Sequence, residues 1–133
     1  FFSSDVANPD TYTKFYTDLE MYTTTMNQPD PALHMLQFVS WEVATKDNKW
    51  QGRNITRWQN KEYDDIHKAA QVELDPIKRA AMLIKLNELA VNNVVVIPIV
   101  ARPGSTGMNN QLVAEISGWD NNTWDLASWY REG

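Results

Sequence analysis

From Asn60 onward, apolar and polar positions alternate in two clear rhythms. Tyr63, Ile66, Ala70 and Leu74 recur at three and four residues, the spacing of one helix face. Asn60 stands where an N-cap belongs, so the pattern predicts a helix from Lys61 to about Glu73. Asp64 and Lys68 are spaced to pair along its outer side. Leu74-Asp75-Pro76 is a second helix start, with Asp75 as cap and Pro76 at the first helical position. Behind it, Ile77, Ala80, Ala81, Ile84 and Leu86 through Ala90 form a wide apolar stripe. That stripe predicts a well-buried helix, with Leu86 in the core and Asn92-Asn93 as the stop. The rhythm then changes. VVVIPIV (Val94 to Val100) is a β-branched run of strand length, and it reads as a buried strand covered on both faces.

Upstream the pattern is weaker. DLEMYTTTM (Asp18 to Met26) partly alternates and predicts a strand, ended by Gln28-Pro29-Asp30-Pro31. Leu33, Leu36 and Phe38 or Val39 then fit a short helix, with Asp30 as N-cap and Pro31 at N1. Thr45 to Gln59 is polar and reads as a long loop around Trp50 and Trp58, with a brief extended piece at Asn54 to Trp58. Downstream, residues 102–107 read as loop and Gln111 to Ile116 as a strand. Gly118 to Tyr130 is an aromatic tail with little periodicity. This order of elements predicts an α/β or α+β architecture.

Composition narrows the classes. The 133 residues carry a net charge of -5, which argues against nucleic acid, whose phosphates need a concentrated basic surface. No apolar run approaches the roughly 20 residues that cross a bilayer. With no cysteine, disulfides and thiolate metal sites are excluded. The chain opens on Phe1-Phe2 without an initiator Met or signal sequence, so it is expected to be a piece of something longer.

Candidate chemistry is sparse. His34 and His67 are the only histidines, and neither has a partner at metal-ligand spacing. Asp18 and Glu20 alternate on the expected strand, which would set two carboxylates on one face, as acid–base work requires. Asn54-Ile55-Thr56 and Asn121-Asn122-Thr123 match the glycosylation acceptor pattern. No activated nucleophile, metal cage or cofactor fingerprint is present, so the expectation is a binding protein with no cofactor, not an enzyme.

Two stretches carry a family resemblance. TTTMNQPDPALHMLQFVS resembles the strand, acidic-Pro turn and helix of the peptide/nickel-type solute-binding proteins of ABC importers. GRNITRWQNKEYDDIHKAAQVELDPIKRAAMLIKLNELAVNNVVVIPIV is similar to the same family over a longer run. There, Asn, an aromatic, Asn-x-x-Tyr/Phe-Asp, a helix, Asp-x-x-x-Arg, a second helix and Ile-Pro-Ile follow in order. Here these are Asn54, Trp58, Asn60, Tyr63, Asp64, Asp75, Arg79 and Ile97-Pro98-Ile99.

The resemblance implies an α/β fold, part of the second lobe of a type II periplasmic-binding-protein-like architecture. The chain would be a single C-terminal lobe fragment, its tail from 118 to 133 returning towards the other lobe. The implied setting is periplasmic or extracytoplasmic, with a lipoprotein anchor in the full-length form. The implied partners are a small polar solute such as an oligopeptide and, through the full-length protein, the membrane permease. In peptide-binding members a Trp and an Asp precede the turn, and the Asp meets the ligand's amino terminus. Thr24 and Asn27 stand at those positions here. The implied ligand-binding residues are therefore Thr24, Thr25, Asn27 and Gln28, with aromatic support from Trp41 and Trp50. A neutral Asn27 lacks the charge-assisted bond to an ammonium, which leaves sugars, amides and other polar solutes open. Two other readings stand beside this one: a carbohydrate-binding or lectin-like module, and a hydrolase fragment using Asp18 and Glu20. An isolated lobe is also expected to self-associate through surfaces that the missing portions would cover.

Overall fold

A computed structural model describes residues 13–14, 17–26, 29–101, 106–117 and 123–133. They fall into two compact units, one within Phe1–Thr25 and Asp30–Ile97, the other within Met26–Pro29 and Pro98–Gly133.

The first unit is built on three α-helices: α1 (Pro31–Met35), α2 (Lys61–Val72) and α3 (Pro76–Asn92). Each begins as its sequence predicts. Asp30 accepts the Ala32 N–H at 2.9 Å, Asn60 accepts the Tyr63 N–H at 3.0 Å, and Asp75 accepts those of Ile77 and Lys78. Pro31 and Pro76 occupy first-turn positions, where the missing N–H costs nothing. Two short 3₁₀ turns, Leu36–Phe38 and Ser40–Glu42, carry the chain out of α1.

Phe38, Val39, Tyr63, Leu83, Leu86 and Ala90 form the centre of the core. Tyr63 anchors it: its ring meets Phe38 and Trp58 edge-on, and its hydroxyl donates to the Met35 carbonyl at 2.9 Å. The stripe on α3 divides. Leu83, Leu86 and Ala90 are buried, whereas Ile77 and Ile84, expected in the same face, are exposed. Asp64 and Lys68 do not pair. Asp64 accepts the Ser40 N–H at 2.9 Å, Lys68 lies over Trp41, and the i,i+4 pair of α2 is Lys61 with Asp65.

α3 ends at a Schellman turn. The Val94 N–H bonds the Val91 carbonyl at 2.9 Å and the Val95 N–H bonds that of Ala90 at 3.1 Å. Val94 holds the left-handed position (φ 53°), where glycine is usual. This turn overrides the strand expected over Val94 to Val100. Its first two residues close the helix, Val95 and Val96 pack on the core, and Ile97, Ile99 and Val100 are exposed without forming a strand. Residues 17–26 likewise hold no strand. Both runs have β propensity, but a strand also needs a neighbour, and the only ladder among the described residues is elsewhere.

That ladder belongs to the second unit. β1 (Leu112–Val113) pairs antiparallel with β2 (Tyr130–Arg131), Leu112 opposite Arg131 and Val113 opposite Tyr130. It realises two residues of the strand expected over Gln111 to Ile116. The tail reaches β2 through a 3₁₀ turn at Leu126–Ser128. The helices make the first unit unlike a mostly β carbohydrate module.

Candidate functional site

The polar stretch after the 3₁₀ turns is not an unstructured loop. Val43 and Asn54 form a parallel bridge, in which the Asn54 N–H donates to the Glu42 carbonyl at 2.8 Å and the Ala44 N–H to the Asn54 carbonyl at 3.1 Å. The bridge closes the intervening residues into a compact surface loop. Asn48 braces its interior, accepting the Thr45 N–H at 2.9 Å and donating to the Val43 carbonyl at 2.7 Å. Gly52 lies against the opposite strand of backbone, and a Cβ there would stand 2.1 Å from the Glu42 oxygen. Sequence reasoning passed over Gly52, because the bridge it permits is not a local signal.

Asn54 is the buried hub of this region. Its amide nitrogen donates to the Val39 carbonyl at 3.0 Å and the Trp58 carbonyl at 2.8 Å, while its oxygen accepts the Thr56 hydroxyl at 2.8 Å. Fully enclosed and with both amide hydrogens engaged, it cannot accept a glycan in the folded chain. Asn121, the other match to that pattern, lies outside the described residues.

The two tryptophans expected at a ligand site sit in different surroundings. Trp41, on the second 3₁₀ turn, packs against α2: its ring meets buried His67 edge-on, and the Lys68 ammonium lies 4.7 Å from its centroid. Trp50 closes the loop with φ 62° and bonds the Thr45 carbonyl at 2.7 Å through its N–H. Arg57 lies 5.6 Å and Lys14 5.9 Å from its ring centroid, so two cations flank this half-buried indole. The Arg57 guanidinium also donates to the Lys14 carbonyl at 2.6 Å. Thr24 and Thr25 are exposed, and Asn27 and Gln28 lie outside the described residues. Among the described residues, the ring contacts of Trp41 and Trp50 are with His67, Lys68, Lys14 and Arg57, and not with Thr24 or Thr25.

The carboxylate pair is also divided. Asp18 is exposed, whereas both Glu20 oxygens are buried without a hydrogen bond. Burial pushes the Glu20 carboxyl above its usual range, and the nearby Arg57 charge pulls it partly back. Without a strand over these residues, the shared face that would make them an acid–base pair is missing.

His67 donates through Nε2–H to the Ala32 carbonyl at 3.1 Å and joins α1 to α2. His34 is bonded to Gln37 at 2.8 Å. Both are packing residues. Among the described residues no three metal-binding side chains cluster, and no helix is long and apolar enough to cross a membrane.

No family model, curated protein or solved structure matches this chain.

Five of the residues quoted for the resemblance make specific structural bonds, whereas Ile97 and Ile99 are exposed and form no strand. Asn60 and Asp75 cap helices, Tyr63 bonds the end of α1, and Asp64 holds Ser40. Arg79 donates through Nε to the Ala70 carbonyl at 3.0 Å and through its terminal nitrogen to Asp30 at 2.8 Å. That arginine ties α3 to the end of α2 and to the cap of α1. Burial of the Tyr63 ring, and secondarily the Asp64 charge, push the phenol well above its ordinary value and keep it a neutral donor.

Proposed function

We infer that this chain supplies one wall of the ligand cleft in a solute-binding protein of an ABC importer. One observation supports the reading. Of the positions that resemble the peptide/nickel-type family, Asn60 and Asp75 cap α2 and α3, Tyr63 and Arg79 tie the three helices together, and Asp64 holds the turn at Ser40. They serve as a scaffold and leave recognition to the segment before α1. The protein binds its solute and does not transform it. Thr24, Thr25, Asn27 and Gln28 are the contacts, and an amide at Asn27 favours a neutral polar group over an ammonium. Trp41 and Trp50 flank the cleft. The full-length protein works in the periplasm or another extracytoplasmic space, held there by a lipid anchor, and hands its solute to a membrane permease.

The test is calorimetric titration of the intact gene product against oligopeptides, amides and small sugars. Micromolar binding is expected, weakened at least tenfold by Asn27→Ala with the melting temperature of the unliganded protein unchanged. Such a loss corresponds to about 1.4 kcal/mol. Absence of binding to any solute of the panel, or an affinity indifferent to both Asn27→Ala and Thr24→Ala, overturns the reading.

A further inference from the structure

The segment before α1 is inside out. Of residues 17–26, only Glu20 and Tyr22 turn inward to half-buried positions, while Leu19 is 83% and Met21 70% exposed. A segment that packs for stability buries its apolar side chains and leaves an acid in water. Here the carboxylate is the buried group, and neither of its oxygens has a hydrogen bond. Such a group weakens the fold and needs an explanation outside packing.

A donor stands close by and is turned elsewhere. The Arg57 charge acts on the Glu20 carboxyl against the effect of burial, yet the guanidinium is not bonded to it. It donates instead to the Lys14 carbonyl at 2.6 Å and lies against the Trp50 ring. Arg57 and Trp50 both hold left-handed backbone, φ 58° and 62°, which is uncommon for either residue. Strain of this kind persists where the surroundings over-determine a position, and it collects at ligand sites. Tyr22 adds a neutral phenol, its pKa raised by burial and then by the Glu20 charge.

Charge selects the ligand. Arg57 already opposes the Glu20 charge, and Lys14 lies against the same indole as Arg57. An ammonium would add a further cation to this cluster, and a carboxylate would meet the acid. Because a carboxylate accepts at both oxygens, two neutral donors on adjacent atoms meet both and disturb neither charge.

We propose that Glu20 takes the vicinal hydroxyls of a bound sugar or polyol, one at each carboxylate oxygen, with Tyr22 and Arg57 beside them. Residues 17–26 lie in no ladder, so a turn of one side chain opens the carboxylate to the solute. The proposal names the solute class for the binding reading and rests on it for its setting. The measurement is made on the chain itself, so the two fail separately.

Nuclear magnetic resonance titration of the 133-residue chain is the test, with methyl glucoside, methylammonium and acetate as probes. At millimolar concentrations methyl glucoside should shift the Glu20 carboxyl and Tyr22 ring signals saturably, and the two ions should not. Glu20→Gln should weaken binding about fivefold, read at Tyr22, because a neutral acceptor forms the weaker bond. The same variant should melt no lower than the parent, since no bond is lost with the charge. Absence of a saturable shift overturns the proposal. So does an equal response to either ion, an affinity indifferent to Glu20→Gln, or a lowered melting temperature, which would make the carboxylate a structural group.

Discussion

Two single positions are decided by backbone geometry rather than by side-chain contacts. Gly52 lies against the chain at Glu42 to Ala44, and a Cβ would meet the Ala44 nitrogen at 2.6 Å as well as the Glu42 oxygen. Backbone cannot swing aside as a side-chain tip can. Gly52→Ala is therefore expected to cost about 3 kcal/mol, the upper end of overpacking effects, in urea denaturation. Val94 presents the opposite case. A β-branched residue at φ 53° is strained by roughly 1–2 kcal/mol. Glycine removes that strain but loses about 0.5–1 kcal/mol to the freedom of its unfolded chain. Val94→Gly should leave a net gain of about 0.5–1 kcal/mol, read as a higher denaturation midpoint.

Among the elements, α3 gives the sharpest contrast. Leu86 is fully buried and Ile84 is exposed, although both belong to the stripe that its sequence displays. Leu86→Ala should cost about 2–5 kcal/mol, whereas Ile84→Ala and Lys85→Ala should each stay within about 0.5 kcal/mol. Thermal and chemical denaturation of the three variants would separate the two faces. The junction of α1 and α3 titrates. The bond from the Ala32 N–H, and then the Arg79 guanidinium, hold the Asp30 carboxyl below its ordinary range. A depressed folded-state value means that this contribution is complete above the ordinary aspartate pKa of about 3.9 and fades as pH falls through the lower folded value. The carboxylate is largely exposed, so the ion pair is worth little and the cap carries most of the effect. Asp30→Ala should cost about 1 kcal/mol at neutral pH. Asp30→Asn should keep much of the cap and lose less stability than the parent between pH 5 and pH 2, as denaturation midpoints across that range would show.

At the scale of the whole molecule, local signals were legible and non-local ones were not. Asp30-Pro31, Asn60 and Asp75-Pro76 announce three helix starts, because a cap and its recipient N–H lie two or three residues apart. The core role of Leu86 also follows from periodicity. Which of two apolar faces on α3 meets the neighbours does not, since both Leu83 and Ile84 satisfy a wide stripe. The bond from Ser40 to Asp64 spans 24 residues and displaced a helix pair that spacing alone favours. Val94 to Val100 has strand composition, yet its first residues are taken by the turn that closes α3. Of the candidate site, the tryptophans were legible as residues to watch. The cations around Trp50 were not, because Lys14 lies far from it along the chain.

The enclosure of Asn54 sets a race between chemistry and folding. Its tripeptide is an acceptor while the chain is extended and ceases to be one when the Val39, Thr56 and Trp58 bonds close around it. During translocation into a glycosylating compartment, a sugar attached first would replace one of the two amide hydrogens, leave the Val39 or the Trp58 carbonyl without its donor, and set a bulky polar group where the core must close. Production in a eukaryotic secretory host should therefore yield two populations. Secreted, folded protein should carry unmodified Asn54 by peptide mass spectrometry, while retained and degraded chains should carry the glycan there. Thr56→Val, which abolishes the acceptor, should raise the secreted yield even though it removes two hydrogen bonds from the finished fold, those to Asn54 and from the Trp58 N–H; in a host without glycosylation the same change should only lower stability, by about 1–2 kcal/mol. One asparagine thus makes the choice of compartment a determinant of whether this sequence reaches its structure.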